Sequence, residues 1–130
     1  MVASSNLREG AHVITYEDFE RATLFFDAKD YAGAARLLAP VVAEEPGNRA
    51  AVELLARAYF HSAQLGRAEE TFRRLVELDP CNGWAHEALA RTLERRSRPD
   101  EARTYRNLAR AMGVGSAEKV DVSLTAADLA

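Results

Sequence analysis

The sequence predicts an all-α fold, a solenoid of three stacked helix-turn-helix units with about six helices. Two observations lead to this class. The chain overlays on itself when it is shifted by 34 residues, and a fixed period of this length is typical of helical repeat proteins. Each unit also contains two stretches with apolar residues at spacings of three and four, the pattern of a helix that buries one face.

Small, bulky and turn-forming residues recur together at the 34-residue interval. The alanines Ala34, Ala68 and Ala102 fall on one register. The other matches are Ala22 with Ala56 and Ala90, Phe25 with Tyr59 and Leu93, Leu38 with Phe72, Val41 with Leu75, Pro46 with Pro80, and Asn48 with Asn82. Two helices cross closely only where the side chains between them are small. We therefore expect the recurring alanines at the helix contacts and the larger residues between successive units.

The pattern resembles the tetratricopeptide repeat family. The second unit carries the family's spacing and residue types at Ala56, Tyr59, Gly66, Ala68, Phe72 and Pro80. The resemblance covers about residues 15–113 and divides them into repeats at 15–48, 49–82 and 83–113, with an N-terminal arm at 1–14 and a C-terminal tail at 114–130. It implies a right-handed superhelix in which the first helix of each repeat lines a concave groove that receives peptides or partner helices.

Each repeat is predicted to contain two helices with recognisable ends. The predicted helices cover residues 16–28, 31–45, 49–62, 65–78, 83–96 and 99–112. The predicted N-caps are Thr15, Asn48 and Asn82. Pro99 suits the first turn of the last helix, and Gly113 suits its end. Pro40 lies inside the second helix and removes one backbone hydrogen bond, so we expect a kink there or a helix that ends and restarts.

The third repeat is predicted to end the solenoid. Arg106 stands where the second repeat has Phe72, and Arg110 where it has Val76, so charge replaces the apolar surface that a further repeat needs.

For the C-terminal tail, three interpretations remain open. In the first, both termini are frayed. In the second, the tail folds onto the last helix or into the groove. In the third, strands of the two termini pair with each other, either within one chain or across a dimer. The alternation of polar and apolar residues at 119–125 is the signal for an extended segment.

The composition is that of an ordinary globular protein, with 48% hydrophobic and 28% charged residues and a net charge of −3. This balance argues against wholesale disorder and against a dedicated nucleic-acid binder, which carries a basic excess. The single cysteine, Cys81, excludes an internal disulfide and a zinc site built from several thiolates.

No apolar run is long enough to span a membrane, and residues 1–10 lack the apolar core of a signal peptide, so we expect a cytoplasmic protein. Frequent alanine and an excess of arginine over lysine indicate a bacterial genome rich in G and C.

The resemblance places the candidate binding site on the first helices and on the turns before them. The predicted groove residues are Tyr16, Phe19, Thr23, Phe26, Asn48, Glu53, Arg57, Phe60, His61, Asn82, Trp84, Glu87, Arg91 and Arg95. Aromatic and arginine side chains dominate binding hot spots, so a protein or peptide partner with an apolar anchor and an acidic residue or carboxylate suits this surface. The alternative is a solvated face on which Arg57 and Arg91 pair with glutamates of their own helices. Trp84 is either an exposed anchor or packed against the second repeat.

These features predict a non-catalytic adaptor, assembly or chaperone-like factor that needs no cofactor or metal. The subfamily that clamps acidic chaperone tails uses a set of basic and Asn side chains in its groove, and we expect no such ligand here. The corresponding positions hold Phe19, Thr23, Leu54, Trp84 and Ala88. One alternative is a homodimer formed through Tyr16, Phe19 and Leu24 of the first helix or by swapped termini. A remote alternative is an enzyme using Cys81 with His86, although the sequence contains no phosphate loop, nucleophile elbow or metal-binding pair.

Overall fold

The computed structural model describes residues 16–114, which form six α-helices and no strand. The helices are α1 (16–27), α2 (Tyr31–Glu44), α3 (Arg49–His61), α4 (Leu65–Leu78), α5 (Gly83–Arg95) and α6 (Pro99–Ala111). Helices α2 to α6 start where the sequence predicts and end within one residue of the predicted end. The all-α prediction is therefore confirmed. The predicted arm at 1–14, the Thr15 cap and the tail beyond Val114 lie outside the described residues.

Consecutive helices pack against each other as three hairpins, α1–α2, α3–α4 and α5–α6. From α2 to α6 each helix contacts the next one. Ala22 and Phe26 of α1 belong to the same apolar cluster as Leu38 of α2. A second cluster around Phe72 joins α3, α4, α5 and α6. Two neighbouring cores therefore follow each other along the stack, which is the arrangement of a solenoid.

The recurring alanines lie at the buried helix contacts. The six positions are 0–1% exposed and comprise Ala22, Ala34, Ala56, Ala68, Ala90 and Ala102. Leu38 and Phe72, which share one repeat position, are both 0% exposed. Arg106 takes this position in the third hairpin and is half-buried. The period thus encodes small side chains inside the hairpins and large ones between them.

The turn inside each hairpin repeats with the same period. Lys29, Ala63 and Ser97 have φ values of 67°, 62° and 64°, in the left-handed region that glycine favours. In each turn the next N–H bonds to a carbonyl of the preceding helix and closes that helix as a Schellman motif. These bonds run from Asp30 N to Phe25 O (2.8 Å), from Gln64 N to Tyr59 O (2.8 Å) and from Arg98 N to Leu93 O (2.9 Å). Since none of the three turn residues is a glycine, the sequence pattern did not reveal this shared conformation.

Asn48 and Asn82 begin α3 and α5, as predicted. The Asn48 side-chain oxygen accepts a hydrogen bond from the Ala51 N–H at 3.2 Å. The Asn82 side-chain oxygen accepts one from the Ala85 N–H at 3.1 Å. Helix α2 runs without interruption through Pro40, so it does not end and restart there.

The end of α6 returns to the start of α5. Gly113 has a φ of 91° and ends α6, as predicted. Val114 then lies against Gly83, where a Cβ would be 2.5 Å from Val114 Cγ2. Glycine at the first position of α5 therefore permits Val114 to approach the α5 backbone closely. Val114 is the last described residue, and its contact Gly83 directly precedes Trp84.

Candidate partner-binding face

Six of the predicted groove residues come together on one side of the first helices of the hairpins. We call this surface the α1–α3–α5 face and define it by Phe26, Arg57, Phe60, His61, Trp84 and Arg95. The helical register explains part of the grouping, because Arg57, Phe60 and His61 are three and four residues apart on α3 and so share one side of it. Phe26 of α1 and Trp84 of α5 then approach Arg57 from the two neighbouring hairpins.

Aromatic rings form the part of this face that lies between the first two hairpins. The Phe26 ring meets the Tyr31 ring edge-on, with centroids 5.0 Å apart, and Tyr31 stacks on His61 at 4.7 Å. The Phe60 and His61 rings meet edge-on at 5.7 Å. Phe26 and Phe60 are only 4% and 7% exposed. These rings therefore join α1, α2 and α3.

The Arg57 guanidinium is enclosed at the middle of the face. Its Cζ lies 5.1 Å from the centre of the Phe26 ring and 5.9 Å from that of Trp84. Nη1 donates a hydrogen bond to Glu53 Oε2 at 3.1 Å. The residue is 7% exposed, and burial lowers the pKa of the Arg57 guanidinium although the charges of Glu53 and Asp27 act in the opposite direction. A cation is thus held between two rings in a largely dry environment.

Trp84 is half-buried and packs on the second hairpin. Its ring meets Phe72 of α4 edge-on, with centroids 6.0 Å apart. Of the two alternatives that the sequence left open, packing against the second repeat is the one observed. Trp84 nevertheless stays partly accessible to solvent.

Arg95 provides a third cation–π pair at the exposed edge of the face. Its Cζ lies 5.0 Å from the centre of the Phe60 ring. The Arg95 side chain is exposed, in contrast to Arg57. A charged group of a partner can therefore reach Arg95 without any rearrangement of the protein.

Glu87 and Arg91 form a separate group with α6. Glu87 is 8% exposed and lies 3.7 Å from Arg91 Nε and 3.3 Å from Arg106 Nη2. Arg106 also donates two hydrogen bonds to Glu94, one of them at 3.1 Å. These bonds hold the pKa of the Glu94 carboxyl below its usual value, against the opposing effect of burial. Arg57 and Arg91 each pair with a glutamate of their own helix, as the solvated-face alternative predicts. One member of each pair, Arg57 and Glu87, is however buried and not solvated.

The remaining predicted residues mainly serve the helices that carry them. The Asn48 and Asn82 side-chain oxygens are committed to their caps. The Thr23 hydroxyl donates to the Phe19 carbonyl of the same helix at 3.0 Å, and Phe19 packs against the first apolar cluster. Tyr16 is 62% exposed on α1.

Two residues of this region were not predicted from the sequence. Tyr31 lies on α2 and stacks on His61, and Arg106 lies on α6 and bonds to Glu87 and Glu94. Both partnerships join residues that are far apart in the sequence, so spacing within one helix carries no signal for them. Only the 34-residue register, which sets α2 beside α3 and α6 beside α5, indicates that such contacts are possible.

His86 and Cys81, the residues of the enzyme alternative, have different environments in the structure. His86 Nε2 lies 2.8 Å from the Pro80 carbonyl oxygen. Because a carbonyl oxygen can only accept, Nε2 is the ring nitrogen that carries a hydrogen and donates a hydrogen bond to it. The ring is 4% exposed and stacks on Tyr105 at 6.1 Å. Cys81 is exposed. Within residues 16–114, no group of three His, Cys, Asp or Glu side chains is placed to hold a metal ion.

Two models of the tetratricopeptide repeat family match the sequence, one over residues 25–81 and the other over residues 71–104. The chain belongs to the tetratricopeptide repeat family. This confirms the resemblance found in the sequence. No curated protein matches the sequence at a significant level. Of the helices in the described part of this tetratricopeptide repeat protein, none combines the length and the apolar composition needed to cross a membrane.

Solved structures with the same fold include MamA proteins. MamA from Desulfovibrio magneticus RS-1, residue 41 to the end, superposes with a TM-score of 0.70 at 24% identity and matches 78% of this chain. The present chain spans 57% of the length of that MamA chain. A structure of MamA AMB-1 superposes with a TM-score of 0.74 at 20% identity, over 95% of this chain and 72% of the other. At these identities the likeness shows a common helical repeat fold.

Proposed function

We propose that this tetratricopeptide repeat protein is a non-catalytic interaction module that binds a peptide or partner segment along the α1–α3–α5 face, the surface that lines the concave groove in its family. The observation that carries the proposal is the pairing of arginines with aromatic rings, Arg57 with Phe26 and Trp84, and Arg95 with Phe60. Residues of these two classes supply large contact area together with directed hydrogen bonds, and they dominate the energetics of protein interfaces.

The partner segment that suits this face carries an apolar group next to an acidic side chain or a terminal carboxylate. The half-buried Trp84 side chain offers the apolar contact. Arg95 offers an exposed positive charge over the Phe60 ring. Such chemistry fits an adaptor or assembly factor better than an enzyme, because His86 is engaged with the Pro80 carbonyl and stacks on Tyr105 of α6.

A capture experiment with matched variants tests the proposal. The α5 variant Arg95→Ala removes a positive charge from the α1–α3–α5 face, whereas the α6 variant Arg103→Ala removes an exposed positive charge from α6 and leaves that face intact. Proteins captured by the wild-type full chain and by the α6 variant, but lost from the α5 variant, support the proposal. Equal capture by both variants, with equal helix content by circular dichroism, would show that partners bind elsewhere.

Self-association through α1 is the second candidate function. Tyr16 and Leu24 are large apolar side chains that are 62% and 67% exposed on α1, and a two-fold interface would bury both from each copy. Light scattering of the full chain distinguishes a dimer from a monomer. The variant Tyr16→Ser, Leu24→Ser should turn a dimer into a monomer. The variant Leu108→Ser, Met112→Ser, which alters exposed apolar residues in α6 and directly after it, should not.

A further inference from the structure

The Arg57 side chain is a buried cation whose hydrogen-bonding capacity is only partly used. Its side chain is 8% exposed, and within residues 16–114 its ion pair is the one from Nη1 to Glu53 Oε2 at 3.1 Å. Nε and Nη2 are shielded from water and have no hydrogen-bond partner in the described part of the chain. Leaving buried N–H groups of a charged side chain unpaired is costly, so they mark a place where a partner group is missing.

The two unpaired nitrogens have the geometry of a specific receptor. Nε and Nη2 lie along one edge of the guanidinium plane, and their N–H bonds point in parallel toward the same side. This fork matches the two oxygens of a carboxylate, which accepts both bonds at once. The lowered pKa of the Arg57 guanidinium has burial as its main cause, and a further negative group at this edge, added to Glu53 and Asp27, would offset that effect.

We infer that the Nε–Nη2 edge of Arg57 is a binding site for a carboxylate of a partner segment, an Asp or Glu side chain or a chain end. This inference rests on the proposed function and assigns one residue to the acidic group that the face was proposed to accept. Because both nitrogens are shielded, a neighbouring side chain turns aside as the carboxylate enters. Trp84 is the half-buried member of the ring pair around Arg57, whereas Phe26 is 4% exposed, so Trp84 is the ring that moves.

Acetate is a minimal probe of this site. The full chain is titrated with sodium acetate, with sodium chloride at equal ionic strength, and with acetamide, which has the same shape without the charge. The readouts are the NMR signals of the arginine Nε–H groups and the fluorescence of Trp84, the single tryptophan of the sequence. Acetate should cause a saturable shift of the Arg57 Nε–H signal and a change in Trp84 emission, and acetamide should bind at least about tenfold more weakly.

Two variants make the assignment specific. Arg57→Lys keeps the charge but lacks the planar fork, and it should abolish the saturable response. Arg103→Lys makes the same exchange at an exposed arginine of α6, outside the α1–α3–α5 face, and should leave the response unchanged. An identical effect of acetate and chloride on the wild-type chain, or an equal response to acetamide, would overturn the inference, and this holds even where Arg57→Lys does not fold.

The tail of this chain also carries carboxylates, at Glu118, Asp121 and Asp128. The variant Glu118→Gln, Asp121→Asn, Asp128→Asn separates this source from a partner. An unchanged acetate affinity supports a partner as the source, whereas a stronger acetate response would show that the tail competes for Arg57. Acetate binding at Arg57 combined with equal capture by the α5 and α6 variants would refute the proposed function while the carboxylate site stands. Loss of capture from the α5 variant alone, without acetate binding at Arg57, would refute the carboxylate site while the proposed function stands.

Discussion

The Arg98 guanidinium donates two hydrogen bonds to the Glu69 carboxylate, from Nη1 to Oε1 at 2.9 Å and from Nη2 to Oε2 at 2.7 Å. Glu69 lies on α4 and is 7% exposed, while Arg98 lies in the turn before α6. Arg96 and Arg73 donate to the same carboxylate at 2.7 and 3.0 Å. One buried acid therefore fastens the turn of the third hairpin to the second hairpin.

Replacing Glu69 with Gln should destabilise the fold. The amide keeps the shape but loses the charge that three guanidinium groups share, and we expect the free energy of unfolding to fall by about 1.5 kcal/mol, because the arginines are partly exposed and regain water. Urea unfolding followed by circular dichroism measures the loss. Glu70→Gln, an exposed neighbour on α4, is the matched control and should change little. Equal effects of the two variants would contradict the assigned role of Glu69.

Stability should decline in acid because of the same carboxylates. Burial of Glu69 raises its pKa, but hydrogen bonds from its arginine partners outweigh burial and hold the pKa below 4.5. The pKa values of Glu94 and Glu101 are also lowered, by hydrogen bonds from Arg106 and from Arg73. Since the unfolded chain takes up these protons first, the stabilisation is complete above about pH 4.5 and is lost as the pH falls through the folded-state pKa values.

Urea midpoints measured from neutral pH down to about pH 3 check this prediction. The midpoint of the wild type should fall steeply in the acid range, and that of Glu69→Gln should fall less. A midpoint that is constant across the range would mean that the ion pairs add nothing to the stability of the folded state.

The fold was largely predictable because its determinants are local and repeated. The 34-residue register of Ala34 and Ala68, and the capping residues Asn48 and Asn82, fix where helices pack and begin. The left-handed turn residues were not predictable, since their conformation is imposed by Schellman hydrogen bonds to the preceding helix and not by a glycine at positions such as Ala63.

The sequence predicted the six residues that define the α1–α3–α5 face, but it did not predict the contacts that surround Arg57. Helical spacing placed Arg57 and Phe60 on one side of α3, and the structure has them there. Spacing within α3 does not show that Phe26 and Trp84, from two other hairpins, close over the guanidinium. The burial of Arg57 depends on contacts between hairpins, which the sequence of one hairpin does not describe.

Ala68→Leu should destabilise the protein by overpacking the contact inside the second hairpin. Ala68 is 0% exposed, so a larger side chain displaces its neighbours at a cost of about 1–3 kcal/mol. Thermal unfolding measures the loss. Ala32→Leu introduces the same side chain at an exposed position of α2 and serves as control. An unchanged midpoint for Ala68→Leu would place the close contact elsewhere.

Ala63→Gly should stabilise the protein, although glycine usually weakens helical proteins. Ala63 has a φ of 62°, and a side chain in this left-handed conformation costs about 1 kcal/mol that glycine avoids. Ala50→Gly, at an exposed position within α3, should instead lower the unfolding free energy by about 0.5–1 kcal/mol. Opposite signs for the two variants in urea unfolding are the expected result, and a loss of stability in both would contradict it.

Arg57→Met separates stability from binding. Methionine fills the space between Phe26 and Trp84 without a buried charge, and Glu53, whose side chain is 34% exposed, remains hydrated once its partner is gone. Replacing a poorly satisfied buried ion by an apolar side chain is often neutral or favourable, so the unfolding free energy should be unchanged or higher by about 1 kcal/mol, while acetate binding disappears. Urea unfolding and the acetate titration measure the two effects. A marked loss of stability would mean that the cation–π contacts outweigh the desolvation of the guanidinium, and that Arg57 is held in place by the fold and not by a need for a ligand.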